Sequence, residues 1–547
     1  MLDQVQLNRI QDPDTKSVVQ QLANLLEQSL ADNDTLKAEN QRLKDEINRL
    51  KGEQGKPNVK PNKPKPPPTD HSSEEERKKP TTWKKTAKNH KIVTDRTEIV
   101  PGEVESLPAD AVFKEYESVI IQNLKLVTEN IRFQRARYYS PSTGKTYLAP
   151  LPQGYAGGYG PDLKALALSL NHLCNVSQPA LHTLFTHAGI HISTGQISNI
   201  LTQGQEIFHQ EKQEIGLAGL ASSVWQQTDD TLTRVNGENQ HCHVVNNPLY
   251  TTYTTLPKKD RLSVLDALKN GAPRTFLLTP EVLASPVVSK LSGKQQRILA
   301  DFSQETVWDE ASLLALLEEK LPTLSLQNHK GLLEAMALAA YHAQTEIPVI
   351  SLLLCDDAPQ FVGLTESLGL CWIHDARHYQ KLTPHLPCFD TILTDFKKEY
   401  WKYYNRLLAY REHPTAEERA ALFSDFDTLF VPNTGYAHLD FRIQQTAANK
   451  DELLQVLAHP EIPLHNNASE LAVRRRVRKR DVSFGPRSPA GVAVWDTFQT
   501  IAATAQKLGV SFIAYVTDRV SGRNEMPSLA SLITERASEM NLNGSWA

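Results

Sequence analysis

Apolar positions recur in alternating steps of four and three over residues 18–51. Leu22, Leu26, Ser29, Asn33, Leu36, Asn40, Leu43, Ile47 and Leu50 mark the seam. This period predicts a coiled coil at 1–51, through which the chain would form a homodimer or higher oligomer. Asn33 and Asn40 share one seam position, where a buried Asn costs stability but fixes register and favours a parallel pair. A single amphipathic helix packed on the protein's own core has the same period. Residues 52–90 are rich in Pro and Lys, most clearly at 63–68, and predict an extended tether. Residues 91–152 are expected to form a small β-rich module. Residues 131–139 alternate apolar with basic, and Pro141-Ser142-Thr143-Gly144 supplies a turn. The basic face fits a phosphate backbone, and an ordinary half-exposed strand fits equally well.

Residues 153–215 predict helices arranged as in a helix-turn-helix. Ser177 caps a helix carrying Leu181, Leu184 and Phe185, and Gly189 ends it. Ser193-Thr194-Gly195-Gln196 opens another in a capping-box pattern, with Ile197, Ile200 and Leu201 inward. DNA contact and a plain helical hairpin remain the two alternatives here. From residue 216 to 515 strand and helix patterns mix. Strands are expected around 224–227, 241–245, 250–255, 347–354 and 368–372, and helices near 261–345 and 389–460. Further helices begin at Asn467 and near 490, and 516–547 is expected to be a tail. The whole predicts a multidomain α/β protein.

Composition narrows the setting. The five cysteines, Cys174, Cys242, Cys355, Cys371 and Cys388, form no C-x-x-C pair, which speaks against a disulfide framework and a cysteine zinc site. With no apolar run of about 20 residues, no membrane span is expected. The beginning has no signal-peptide pattern, and a reducing cytoplasm is the expected location. A net charge of −4 requires any nucleic-acid contact to use local basic patches.

Three acidic islands carry the candidate chemistry. They are Asp229-Asp230-Thr231, Asp356-Asp357-Ala358 and Asn466-Asn467-Ala468-Ser469-Glu470. The first two are expected at strand ends and the third on a helix. Carboxylates so placed suit two Mg²⁺ ions about 3.5–4 Å apart, which assist displacement at a phosphodiester. Taken singly, an Asp near a strand end is an ordinary turn former. After Glu470 come Arg474, Arg475, Arg476, Arg478, Lys479 and Arg480, a basic run expected to hold a DNA backbone. An i,i+4 Glu–Arg surface pair is the plainer alternative. His374, Arg377 and His378 form another polar cluster, with support of the metal site, holding of a phosphate and a hydrogen-bonded structural role all open.

At these residues the chain resembles the transposases of the insertion sequence 66 family. Asp229-Asp230-Thr231 matches their first motif. Asp356, followed by Cys371-Trp372-Ile373-His374-Asp375-Ala376-Arg377, matches the second. Asn466 through Glu470 with Arg474 matches the third. The resemblance covers about residues 160–520, and the leading coiled coil is a shared trait. It implies an RNase H-like catalytic core with helical insertions and a triad of Asp229, Asp356 and Glu470. It further implies Mg²⁺, with Mn²⁺ able to substitute, and binding of transposon ends and target DNA in a bacterial cytoplasm. Departures are His465 for the usual Asp, Leu471 for the usual Arg, and no cysteine in 91–152, where the family often has a zinc module. A nuclease without strand transfer, and a non-catalytic DNA-binding derivative, are the alternative functions.

Overall fold

The computed structural model describes residues 11–51, 92–100, 108, 111–155 and 157–540. The tether expected at 52–90 lies outside the described residues. The protein is mixed α/β, built on a five-stranded mixed sheet. Two small two-stranded antiparallel sheets, the hairpin of β1 (Arg137–Ser140) with β2 (Lys145–Leu148) and the pair of β6 (Thr275–Leu277) with β7 (Val307–Asp309), stand apart from it.

β3 (Trp225–Val235), β4 (Glu238–Asn246) and β5 (Thr251–Leu256) form an antiparallel meander. β8 (Leu352–Cys355) and β9 (Ser367–Leu370) add in parallel on the other side of β3, giving the order β5-β4-β3-β8-β9. The turn between β3 and β4 is Asn236-Gly237, both at positive φ (49° and 86°), the backbone that a tight right-twisted hairpin needs. That turn lets β3 run on to Val235, so Asp229 and Asp230 lie mid-strand and not at a strand end, as the sequence pattern had predicted. β8 does end immediately before Asp356.

β5 is a sheet edge, and one helix covers it. Along Pro489–Lys507 the side chains of Asp496, Thr500 and Thr504 accept the edge N–H groups of Thr255, Tyr253 and Thr251 at 2.7, 3.1 and 3.2 Å. The spacing i, i+4, i+8 on the helix matches the two-residue repeat of the strand, so every outward donor over this stretch is satisfied.

The helical region expected at 153–215 is present as Pro161–His172, Gln178–His187 and Thr194–Thr202, followed by Glu206–Ala221. Ser177 and Ser193 act as N-caps, accepting from Ala180 N and Gln196 N. Only half of the expected capping box forms at Ser193.

Other boundaries differ from expectation. Of the β-rich module at 91–152, only β1 and β2 are strands among the described residues. The alternating run from 131 has no second layer to bury its apolar side, and a lone two-stranded ribbon lacks the partners that stabilise longer strands. The stretch expected as a strand at 347–354 is extended only from Leu352, and Trp372 opens a helix, Trp372–Gln380, where strand had been expected. Beyond 516 the chain does not trail away. Helices Phe512–Val520 and Leu529–Glu539 bury Tyr515, Val516, Leu529 and Ile533 in the main core. Among the described residues no helix is long and apolar enough to cross a membrane.

The N-terminal helix Pro13–Leu50 is one unbroken element with two environments. Its first half packs on the protein's own core through Val19, Ala23, Leu26 and Leu30, while Leu36, Leu43, Ile47 and Leu50 are exposed. Asn24 bonds to Gly435 O and Ala437 N. The buried Glu27 carboxylate accepts from His385 N and Leu386 N at 2.8 and 3.1 Å, capping the helix Pro387–Glu412. Hydrogen bonding to Asp34 and the nearby Glu27 hold the His385 imidazole above its ordinary range. Glu27→Ala orphans two N–H groups, a loss of about 1–3 kcal/mol in the docked helix. Faster proteolysis within residues 13–50 is the expected result, and an unchanged cleavage rate would contradict this docking.

Candidate active site

The register of the sheet places the acidic residues. β3 pairs with β8 at Gln227↔Leu354. Two residues on from each partner stand Asp229 and Asp356, so both side chains follow the same pleat parity. Across the β3–β4 ladder, Asp229 is opposite Val244 and Asp230 opposite His243. Directly paired residues share a face, which puts Asp229 and Asp230 on opposite sides of the sheet. Asp230 is held on its own side by Gln360 Nε2 at 3.1 Å and Lys259 Nζ at 3.5 Å.

The face of Asp229 is covered by the helix Asn467–Ser483, whose Ala472 and Val473 pack on Cys242, Val244 and Tyr253. Its first turn is fastened to β3 and β4. Asn466 Nδ2 donates to Thr228 O at 2.7 Å, and Asn246 Nδ2 donates to Ser469 Oγ at 2.7 Å. Asn466 N donates to Cys371 Sγ at 3.3 Å. The Asn-Asn-x-x-Glu pattern thus fixes Glu470 near Asp229, over the middle of β3.

The Cys-Trp-x-His-x-x-Arg segment completes the site from the other side. Trp372 is fully buried among Tyr400, Tyr403, Tyr404, Phe426 and Phe430, and its Nε1 donates to Leu453 O at 2.9 Å. It pins the helical region 387–458 to the sheet. One turn on, Arg377 Nη2 lies 3.1 and 3.4 Å from the two oxygens of Glu470. Arg377 Nη1 also lies 2.9 Å from His374 Nε2. Burial, then the Arg377 charge, lower the His374 pKa, so Nε2 is the acceptor for Arg377. The 3.5 Å approach of His374 Nε2 to Glu470 is therefore no ion pair at neutral pH. A further pair, His378 Nε2 with Asp357 Oδ2 at 3.1 Å, ties the helix to the second acidic island.

Electrostatics mark the site as strained for three anions. Burial foremost, with Asp356, Asp230 and Glu470 adding like charge, pushes the Asp229 carboxyl up to about 7 against its hydrogen bond from Asp230 N. Burial likewise raises Asp356. Each carboxylate now uses a protein partner. Asp229 accepts from Asp230 N at 2.7 Å, Asp356 from Ala358 N at 3.2 Å, and Glu470 faces Arg377. As placed, no group of three His, Cys, Asp or Glu among the described residues is close enough to hold a metal ion. The donors still fit hard divalent cations: all are carboxylate oxygens, they repel one another, and the buried Glu470 Oε1 lacks a well-formed hydrogen bond.

The basic run separates into three sets. Arg474 and Arg478 are exposed and share the face of Glu470. Arg476 and Lys479 are inside the protein, where no DNA phosphate can reach them. Arg476 pairs with Asp496, and Lys479 Nζ donates to Asn171 O at 2.8 Å. Burial, then the Arg476 charge, depress Lys479 to about 7. Arg475 and Arg480 are half-buried and bonded to Gln506 and to Leu232 O. The helix packs on β3 and β4 and reaches the helix Pro489–Lys507 through Arg475 and Arg476, so positions 469, 472, 476 and 479 turn inward whatever their charge. Asn236-Gly237, the pairing of Asp357 with His378, and Gln360 were not read from the sequence, although Asp357 and His378 each stood in a polar island. Only the first carries a local signal, the Asn-Gly hairpin dipeptide.

Over 334 residues the chain is 31% identical to the uncharacterized protein y4jO of Sinorhizobium fredii strain NGR234, covering 58% of this chain and 99% of that protein. No known family profile matches the chain. No solved structure matches it.

Proposed function

We propose that this chain, which belongs to one family with y4jO, is a DNA transposase of the insertion sequence 66 type. In this reading the five-stranded sheet is an RNase H-like core, interrupted by the helical regions 261–345 and 387–458. The observation that carries it is the approach of Asp229 on β3 and Asp356, which directly follows the adjacent parallel strand β8 and keeps the same pleat parity, to each other and to Glu470. These three residues would hold Mg²⁺, or Mn²⁺ in its place. When bound, such ions neutralise charge on the phosphate and make a water or 3′-hydroxyl a competent nucleophile. The chain's own groups do the rest. Arg377 orients Glu470 and balances its charge, and neutral His374 steadies Arg377. Arg474 and Arg478 offer exposed cations to the DNA backbone beside the site. No covalent protein–DNA intermediate is required, so no Ser or Tyr nucleophile is assigned.

The test is strand transfer by the full-length protein with Mg²⁺ and labelled DNA ends taken from the flanks of its own gene. Joined product is expected. Cleavage without joining would instead identify a nuclease of the same fold, and binding without cleavage a non-catalytic DNA-binding derivative.

A further inference from the structure

The helix Asn467–Ser483 ends on a residue that does not favour its own backbone. Phe484 stands at φ 58° and ψ 13°, in the left-handed region. Few side chains other than Asn and Asp tolerate that region, and a helix that ends there ordinarily carries Gly. Here Gly485 comes one place later, also at positive φ (91°), where a Cβ would collide with Arg234 O. The turn is fastened on both sides. Phe484 N donates to Arg480 O at 2.7 Å, and Asn236 N in the β3–β4 turn donates to Pro486 O at 3.0 Å. Arg480 Nη1 also donates to Leu232 O, so the helix end and the hairpin tip form one fixed unit.

The ring gains no packing in return. Phe484 is 85% exposed, more than any other Phe, Tyr or Trp among the described residues. Backbone strain held without such a return is characteristic of binding positions. The surface around it is cationic. Arg234, Arg478 and Arg487 are exposed, and none of them pairs with a carboxylate among the described residues. The exposed acids at this end are Glu238 and Asp481, the latter 3.7 Å from Arg480. Glu470 and Phe484 belong to one helix, so at about 1.5 Å per residue they stand about 21 Å apart along its axis. Duplex DNA advances about 3.4 Å per base pair. A duplex laid along Arg474 and Arg478, with one phosphate at the carboxylates, therefore presents Phe484 with a base step about six pairs away.

We propose that Phe484 is an apolar wedge that enters the base stack of bound duplex DNA at that step, with Arg234, Arg478 and Arg487 holding the backbone beside it. A side chain inserted between base pairs unstacks them and kinks the duplex. The fixed left-handed turn holds the ring outward before DNA arrives, so little ordering is left to be done on binding. The wedge rests on the transposase reading, because Glu470 sets where the duplex lies.

Full-length protein is titrated into a paired duplex from the flanks of its own gene, with a donor and an acceptor dye at the two ends, and into a set in which one mismatch is moved along that duplex. Binding should raise energy transfer, the sign of a bend. A mismatch about six base pairs from the cleaved phosphate should tighten binding about tenfold, because its stack is already opened, and mismatches elsewhere should not. Phe484→Gly suits the left-handed backbone, so its Tm should equal or exceed that of the wild type. It should abolish the bend and reduce the mismatch preference to about twofold or less, while the salt dependence of binding to the paired duplex stays as in the wild type. Phe484→Leu, another apolar wedge, should keep the bend. A bend and a mismatch preference that survive Phe484→Gly, or a wild type that binds with neither, overturn the wedge and leave the transposase reading standing. A Tm of Phe484→Gly well below the wild type, or loss of self-association in place of bending, assigns the ring to protein packing and overturns it too. Failure of the wild type to bind any of these duplexes overturns both.

Discussion

Asn at Asp229 or Asp356 is expected to lower cleavage and strand transfer by about 10³-fold at saturating Mg²⁺, while duplex affinity stays within about twofold. Loss of a charged ligand removes several kcal/mol of charge stabilisation at the phosphate, and each 1.36 kcal/mol is tenfold in rate. Stability should move the other way. Folding raises the Asp229 carboxyl from about 3.9 in the unfolded chain to about 7. Between those values the native state holds the extra proton, so this group's contribution falls as pH rises from about 4 to 7 and stays low above. The metal-free wild type should therefore lose stability across that window. Asp229→Asn should flatten the loss and melt higher than wild type at pH 8. Added Mg²⁺ should raise the wild-type Tm at pH 8 and leave that of the variant nearly unchanged. Calorimetry at pH 5 and pH 8, with and without Mg²⁺, reads all of this. A variant that melts lower at pH 8, or a wild type indifferent to Mg²⁺, would remove the physical basis for a metal-binding carboxylate cluster.

What the sequence displays depends on whether the cause is local. Caps are local: Ser177 and Ser193 each accept the backbone N–H three residues on, as their positions before helical runs predict. The strands β4 and β5 show in their β-branched and aromatic residues. The choice between Asp229 and Asp230 is not local, because it depends on the register of β3 against β8, whose partner residues are more than 100 positions away. The same limit hid the end of β3: its acidic and Thr residues look like a turn until β4 is known to pair with them. The module expected at 91–152 fails for the complementary reason. Its alternation is genuine, but only β1 and β2 find each other among the described residues, and alternation without a partner does not make a sheet.

The basic run shows how far a charge count can mislead, and mutation should separate its members by kind of effect. Arg476→Ala is expected to destabilise the protein by about 3–5 kcal/mol, the cost of breaking a buried ion pair from one side. Its guanidinium is 1% exposed, pairs with Asp496, and donates to Thr255 Oγ1 at 2.8 Å. Asp496 is the residue that accepts the edge N–H of Thr255 at 2.7 Å, so losing Arg476 leaves a buried carboxylate whose remaining partners belong to the sheet edge. The damage should therefore reach β5 itself, visible as early hydrogen exchange at Thr251, Tyr253 and Thr255. Replacing both partners together, Arg476→Met with Asp496→Leu, should recover much of the ion-pair loss, because no charge is then left alone in the interior. The recovery stays incomplete while Thr255 N lacks its acceptor. Arg474→Ala and Arg478→Ala should instead change stability by no more than about 0.5 kcal/mol, as exposed positions do. Each should weaken duplex binding and reduce the slope of log affinity against log salt by about 0.9. Equilibrium denaturation and a salt titration distinguish the two outcomes. If Arg476→Ala were to leave stability intact and lower the salt slope, the inward placement of this helix face would be wrong.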